Sequence, residues 1–247
     1  MGFWIAWQFL TIIPSPFKQE FDAKELGRSA VYFPLVGAAL GVILVGLDYG
    51  SGKVLPLALV NALLIAAMAV LSGATHLDGF IDVCDGLAVG RTAAQRWQIM
   101  SDANVGSFGV VGACCLFLVK YLALAAVPNQ YRWQALILMP TLSRWAMVYS
   151  LFAFASAKRE GIGWMFRQQV RWQNTLVATL IAVVASVILM RVQGLALMFG
   201  VWLLVLGLAS YLARIFAGLT GDTYGAINEV TEVLVLILVI VVTSIYF

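Results

Sequence analysis

Three aspartates stand close together in the segment between Thr75 and Gly86. They are Asp78, Asp82 and Asp85, so on an α-helix their positions i, i+4 and i+7 fall within about 60° of one another. Carboxylates that share a face repel and destabilise a helix. Oxygen ligands of this kind suit Mg²⁺ or Mn²⁺, which often bridge carboxylates to substrate phosphates. The pattern predicts a metal site, and a solvated acidic turn is the alternative.

The same segment also carries the chain's only histidine, His76. On a helix His76 would point away from the face that the aspartates share. We expect it to orient a neighbouring group, while Asp78 or Asp82 serves as the base that a hydroxyl nucleophile needs. The predicted catalytic residues are His76, Asp78, Asp82 and Asp85.

Two further acidic patches follow. Asp222 and Glu229 are seven residues apart, with Glu232 after them, and Gly221 and Gly225 permit a close approach to a ligand or to another helix. Here the alternative is helix packing with Asp222 as a cap. A third patch runs from residue 101 to 109, where Asp102 either completes a metal site or caps the following helix.

Two cations, Lys120 and Arg144, fall near the middle of apolar segments, where an ionised side chain costs several kcal/mol unless it is paired. We expect no acid at mid-segment to pair with them, so a phosphate-bearing substrate is the predicted partner, especially for the fork of Arg144. Arg159, in the loop 158–163, is predicted to grip a nucleotide phosphate. The alternatives are snorkelled cations and an ordinary basic loop.

Long apolar segments must position these residues, because 62% of the chain is hydrophobic and only 11% is charged. A bilayer core needs roughly 20 apolar residues per helix. The apolar segments show no strict alternation, so helices fit better than barrel strands. We therefore predict an all-α membrane helix bundle, a single domain over 1–247, with about seven spans: 33–50, 54–74, 107–127, 134–155, 174–192, 195–217 and 230–247.

The N-terminus begins with an apolar stretch, Phe3 to Ile13, that Pro14 and Pro16 end. The stretch lacks the basic region and the cleavage site of a signal peptide and is too short to span. Trp4 and Trp7 suit the headgroup zone. We therefore predict an interfacial helix that lies on the membrane.

Cations set the orientation of the predicted spans. Of the 12 acidic residues, all except Asp48 then lie on or next to the more basic side. The positive-inside rule makes that side cytoplasmic, so the active face of a multi-pass protein of the cell membrane is predicted to be cytoplasmic. The cytoplasmic cations are Lys18, Lys24, Arg28, Arg91, Arg96, Lys158, Arg159, Arg167 and Arg171, against Lys53, Arg132 and Arg191 opposite.

Aspartates bracketed by membrane helices favour metal-assisted phosphoryl transfer on a substrate from the cytoplasm. The string HLDGFIDVCDG at 76–86 resembles the HLDGxxDxxDG signature of the cobalamin synthases, also called adenosylcobinamide-GDP ribazoletransferases. Further strings match in the family's order, but basic residues expected near 12, 101 and 104 are replaced by Ile12, Ser101 and Asn104. The matching strings are FPLVG at 33–37, Asp102 with Gly106 and Gly109, Lys120, Ser143-Arg144, REG at 159–161 and GDTYGA at 221–226.

The resemblance implies a reaction and its residues. A hydroxyl of α-ribazole, or of its 5′-phosphate, attacks the phosphate on the cobinamide side of adenosylcobinamide-GDP and expels GMP, with Mg²⁺ as cofactor. The implied metal ligands are Asp78, Asp82, Asp85, Asp102, Asp222 and Glu229, and the predicted substrate-binding residues are Lys120, Arg144, Arg159, Asn104 and Thr223.

Two other functions compete with this hypothesis. A CDP-alcohol phosphotransferase carries DxxDGxxAR, whose start Asp82, Asp85 and Gly86 match, but Arg91 falls one place late and the downstream GxxxDxxxD is missing. An ion transporter predicts charges near the midplane in both halves, often from inverted repeats, and no repeat is visible. The expected partners are the two substrates and the lipid bilayer, with no nucleic acid. A homo-oligomer and other enzymes of nucleotide-loop assembly are possible further partners.

Overall fold

The computed structural model describes residues 1–17 and 22–245, and within them the chain is helical, with no β-strand. The predicted all-α class is confirmed. Lys18 and the last two residues of the seventh predicted span lie outside the described residues. The helices are α1 (Gly2–Leu10), α2 (Ala23–Ser29), α3 (Phe33–Ser51), α4 (Leu57–Leu71), α5 (Thr75–Val89), α6 (Ala93–Met100), α7 (Ser107–Ala126), α8 (Arg132–Ala153), α9 (Gly161–Gln169), α10 (Trp172–Ile215) and α11 (Gly221–Ile245).

Five stretches of the described residues are long and apolar enough to cross a membrane, and a bent pair, α4 with α5, makes up to six. Four of the stretches contain α3, α7, α8 and α11, which match predicted spans one, three, four and seven. The predicted number of about seven is therefore approximate. The difference lies in α4, which is short, and in α10, which covers two predicted spans.

The 44-residue helix α10 is interrupted at Arg191, whose φ of 53° and ψ of −130° are not helical. A Cβ on Gly194 would collide with the carbonyl oxygen of Ser186. In an unbroken helix these two residues would be about 12 Å apart along the axis. The chain therefore folds back at Arg191, and the two arms of α10 fall on predicted spans five and six.

Helix α4 covers only 15 residues, and α5 follows it at an angle of 93° across a break of a few residues. Gly73 and Ala74 make this break with positive φ angles of 66° and 54°. Because of the bend, α5 does not continue the direction of α4 and lies across the first turns of α7 and α11. The aspartate segment is therefore a helix on one face of the bundle.

At the N-terminus, α1 has nine residues, too few to span, and packs against α2 and α3. The predicted short N-terminal helix exists, and its place at the membrane surface stays a prediction.

Helices α3 and α8 form the tightest packing in the bundle. Gly37 lies against the carbonyl of Pro140, and Gly41 lies against the backbone of Leu136 and Ile137. Small residues let two membrane helices approach this closely, which replaces the hydrophobic force that lipid cannot supply. α8 is consequently the central element, and most of its residues are buried.

An ion pair closes the end of the bundle opposite α5. The guanidinium of Arg132 donates from Nη2 to Asp48 at 2.8 Å and to the amide oxygen of Asn61 at 2.7 Å. This contact joins α8 to α3 and α4. It accounts for Asp48, the single acid that the charge pattern placed on this side.

Substitution of Gly37 tests the packing of α3 on α8. Gly37→Ala should destabilise the protein by about 1–3 kcal/mol, because the added methyl group collides with the Pro140 carbonyl. Gly46→Ala on the same helix is the matched control, since a Cβ there meets nothing within 4 Å. The measurement is the unfolding free energy in mixed micelles, and equal stability of the two variants would contradict the packing described here.

Candidate functional site

A cavity of about 370 Å³ lies on the face that α5 crosses, between the first turns of α5, α9 and α11. The loop after α8 joins this wall because Ala157 N donates to Leu219 O and Leu219 N donates to Ala155 O, both at 2.9 Å. The cavity is lined by Phe9, Phe33, Thr75, His76, Asp78, Met147, Leu151, Ser156, Lys158, Glu160, Gly161, Ile162, Gly163, Trp164, Phe166, Thr220, Gly221, Asp222, Tyr224 and Gly225.

Three helix N-termini meet at this cavity. Thr75 begins α5, Gly161 begins α9 and Gly221 begins α11, and all three residues line it. Gly163 lies against the backbone of Gly221, so the last two N-termini touch. Because the first N–H groups of a helix have no partner within it and carry partial positive charge, such ends attract phosphate. Lys158 adds a full positive charge to the same wall.

Carboxylates surround this positive end. Asp78 and Asp222 line the cavity, and α5 touches α11 where Gly79 lies against the backbone of Asp222. Asp82 is half-buried one helical turn after Asp78. Burial, followed by the negative charges of Asp78, Asp222 and Asp85, raises the pKa of Asp82 to about 6. The structure therefore places Asp78, Asp82, Asp85 and Asp222 near one another on α5 and α11, and their role as metal ligands stays a prediction.

Asp85 has a defined task within this group. Its two carboxylate oxygens accept hydrogen bonds from the backbone N–H groups of Gly106 and Gly109, each at 2.8 Å. These N–H groups belong to the first turn of α7, so Asp85 caps that helix from another element. A side chain on either glycine would collide with the carboxylate or with α5. Asp85 therefore fixes the position of α5 against α7.

Asp102 and Asn104 lie apart from the cavity wall, exposed on the loop before α7. Asp102 Oδ1 accepts from the backbone N–H of Asn104 at 3.0 Å and from its side-chain amide at 2.9 Å. The structure thus pairs them with each other. The metal-binding role of Asp102 and the substrate-binding role of Asn104 stay predictions.

The expectation that no acid pairs with Lys120 and Arg144 is wrong. Lys120 Nζ lies 2.7 Å from Glu229 Oε2 and 2.8 Å from Glu232 Oε2, and Arg144 Nη1 donates to Glu232 Oε1. All four side chains are buried. The two carboxylates belong to α11, which continues into the bundle, so Glu229 and Glu232 lie deeper than the end at which the sequence placed them. The roles of Lys120 and Arg144 toward substrate stay predictions.

This network reaches the cavity through His76. Arg144 Nη2 lies 3.5 Å from His76 Nδ1, and His76 lines the cavity. An arginine nitrogen only donates, so the contact favours a neutral ring with Nδ1 as acceptor and the proton on Nε2. The backbone of His76 also touches Gly225 of α11. His76 is therefore held in place by α8 and α11, and its catalytic role stays a prediction.

Thr223 and Arg159 stand in different surroundings. Thr223 is completely buried, and its hydroxyl accepts from Thr220 N at 2.8 Å and donates to Thr220 O, which caps α11. Arg159 is exposed beside Lys158, the residue that lines the cavity. The sequence predicts that this basic loop contributes to the site, and in the structure Lys158 is the cation of the loop that lines the cavity. The substrate-binding roles of both residues stay predictions.

The acidic side chains of the site determine whether it can hold Mg²⁺. In the described part of the chain, no three His, Cys, Asp or Glu side chains form a ready-made metal cluster, and Glu229 is already paired with Lys120. Mg²⁺, however, is commonly held by one or two carboxylates together with substrate phosphates and water. Asp82 and its neighbours form no ion pair with any described cation. The donor chemistry and the uncompensated charge therefore fit this ion.

Several lining residues carried no sequence signal of their own. Phe9, Phe33 and Phe166 come from three different helices, and apolar residues of this kind are common in a membrane chain. Tyr224 lies inside the string GDTYGA, yet only the structure shows that its hydroxyl is buried with no hydrogen-bond partner among the described residues. The pairing of Glu232 with Lys120 and Arg144 could have been predicted, since a cation in an apolar segment requires a carboxylate nearby.

The apolar helices define a polytopic membrane protein. Its cavity combines carboxylates with helix N-termini of the kind that attract phosphate. The family described as Cobalamin-5-phosphate synthase matches residues 2–240. The chain belongs to this family, so the CDP-alcohol phosphotransferase and transporter hypotheses are set aside.

Three relatives are named adenosylcobinamide-GDP ribazoletransferase. The protein of Geotalea daltonii is 35% identical, over 97% of each chain. The protein of Roseiflexus sp. is 32% identical, over 94% of this chain and 86% of the relative. The protein of Desulforamulus reducens is 33% identical, over 96% of this chain and 94% of the relative. No solved structure matches.

Removal of one charge from the buried network should be strongly destabilising. Lys120→Met leaves Glu229 and Glu232 with a single cation between them and should cost about 3–5 kcal/mol of unfolding free energy. Adding Glu229→Gln restores neutrality and should recover part of the loss. Lys24→Met, at an exposed position, is the control, and a double variant no more stable than Lys120→Met would argue against charge balance.

Replacement of Asp82 and of Asp85 in α5 by asparagine should have opposite effects on the stability of the protein. The raised pKa of Asp82 means that its ionised form is unfavourable in the fold, so without divalent cations wild type should lose stability as pH rises from 3.8 to about 6. Asp82→Asn should remove this dependence and raise the melting temperature at neutral pH. The check is a melting series against pH.

The companion variant, Asp85→Asn, should instead lower stability by about 1–3 kcal/mol, because it leaves an N–H of α7 without an acceptor. Equal behaviour of the Asp82 and Asp85 variants would refute the division.

Proposed function

We propose that the chain is a magnesium-dependent adenosylcobinamide-GDP ribazoletransferase, which joins α-ribazole or its 5′-phosphate to the cobinamide phosphate. The match over residues 2–240 and relatives of 30% identity or more support this activity. The observation that carries the chemistry is local. Asp78 and Asp222 line a cavity at which three helix N-termini converge.

The arrangement suits transfer of a phosphoryl group. The N–H groups of Thr75, Gly161 and Gly221 and the ammonium of Lys158 bind the diphosphate of adenosylcobinamide-GDP. The cavity holds the attacking hydroxyl beside it, so the reaction needs little more than positioning and charge stabilisation.

A ribose hydroxyl of the nucleoside forms an O–P bond with the phosphorus on the cobinamide side. The bridging P–O bond of the diphosphate breaks, and GMP leaves with its electron pair. The hydroxyl proton passes to the carboxylate of Asp78, which lines the cavity and is exposed. His76, held by Arg144, presents Nε2–H as a neutral donor toward the same space.

Asp82 and Asp222 would hold the magnesium ion. When bound, the ion supplies positive charge for the diphosphate and for the charge that develops on GMP. Asp85 keeps α5 in register with α7 through its two hydrogen bonds. Asp78, Asp85, Asp102 and Glu229 remain predicted ligands in addition to this pair.

The active face is proposed to be the cytoplasmic face of the cell membrane. Lys24, Arg28, Arg91, Lys158 and Arg159 all belong to segments that gather at that end. Association with a second copy, or with other enzymes of nucleotide-loop assembly, remains a proposal without a contact surface assigned to it.

The assay is GMP release from adenosylcobinamide-GDP and α-ribazole by the purified protein, with Mg²⁺ or with a chelator. We expect product only with Mg²⁺ and a loss of about 100-fold or more in Asp82→Asn. Glu25→Gln, an exposed acid in α2 whose replacement keeps the capping contact, should retain activity. Folded wild type that releases no GMP would overturn the activity, and an undiminished rate under chelation would overturn only the magnesium requirement.

A further inference from the structure

The cavity has two chemically different walls. Asp78, Thr75 and Asp222 from α5 and α11 make one wall polar. The other wall is aromatic and aliphatic and comes from α1, α3, α8 and α9. Its members are Phe9, Phe33, Met147, Leu151, Trp164 and Phe166.

Three of these rings pack on one another. The centroid of Phe9 lies 4.8 Å from that of Phe166 and 5.9 Å from that of Phe33, and Phe33 lies 5.3 Å from Phe166. Phe33 and Phe166 are buried behind Phe9, which is only partly buried, as is Trp164 of α9. Phe9 and Trp164 therefore offer accessible rings in a cavity that carboxylates also line.

The two substrates place different demands on such a surface. The base of a guanosine nucleotide carries several donors and acceptors on its edge, and an apolar wall leaves these groups unpaired at a cost of a few kcal/mol. A benzimidazole base carries a hydrocarbon edge and stacks on aromatic rings without that loss. A corrinoid is too large for a cavity of about 370 Å³. Of the substrate parts, the benzimidazole nucleoside is the one that matches.

We propose that this cavity is the binding site of the nucleoside that donates the hydroxyl, with its benzimidazole base against the accessible rings of Phe9 and Trp164. The inference rests on the proposed transferase activity. In this position the ribose faces Asp78, and the GDP-bearing corrinoid stays outside, with only its diphosphate at the three helix N-termini. Specificity for the base then comes from α1 and α9, neither of which carries the aspartate string at 76–86.

The decisive experiment measures KM for each substrate separately in Phe9→Leu and Trp164→Leu. Leucine keeps an apolar wall and removes the ring, so both variants should fold. We expect KM for α-ribazole to rise about tenfold, with KM for adenosylcobinamide-GDP within about twofold of wild type. Phe199→Leu, an exposed phenylalanine of α10 far along the sequence from the cavity wall, is the control and should match wild type in both values.

Direct binding gives a second, independent readout. Wild type should bind α-ribazole alone in a calorimetric titration, and Phe9→Leu should bind it about tenfold more weakly. A rise in KM for adenosylcobinamide-GDP with an unchanged KM for α-ribazole would assign the cavity to guanosine and overturn the inference. So would unchanged values for both substrates. In either case GMP would still be released by wild type, whereas failure of the proposed activity itself would abolish release.

Discussion

Charge balance inside the bundle is the constraint on which the site depends. Lys120 and Arg144 are buried among apolar helices, where water is absent and an unpaired charge would be costly. Glu229 and Glu232 neutralise them, and this requirement fixes α7, α8 and α11 relative to one another. Arg144 also contacts His76, so the same network anchors the first turn of α5. The cavity is therefore built on a satisfied charge network.

Next to this charge-balanced network, the site carries carboxylates that form no ion pair with a described cation. Both carboxylate oxygens of Asp85 accept hydrogen bonds at the N-terminus of α7. Burial and the neighbouring carboxylates raise the pKa of Asp82. Two residues only three positions apart thus differ, since one is held by hydrogen bonds within the fold and the other is not. A similar division separates Glu229, paired with Lys120, from Asp222, which lines the cavity. Carboxylates without a protein cation are the ones whose charge a bound metal ion would offset.

Close helix contacts explain how the cavity forms at one end of the bundle. Gly37 and Gly41 let α3 approach α8, and Gly79 lets α5 approach α11. Since lipid provides no hydrophobic force between helices, these contacts and the internal ion pairs supply the association. The result brings short helices, α5 and α9, against the ends of long ones. The N-termini of these short helices line the cavity.

The sequence by itself determined the class, the apolar segments, the helical spacing of Asp78, Asp82 and Asp85 and the family. These features are local, because hydrophobicity and periodicity follow from neighbouring residues. Tertiary structure alone decided that α10 folds back at Arg191, that Glu232 pairs with Lys120 and Arg144, and that Phe9, Phe33 and Phe166 share a wall. Each of these depends on residues far apart in the chain, and no local pattern states which helices will meet.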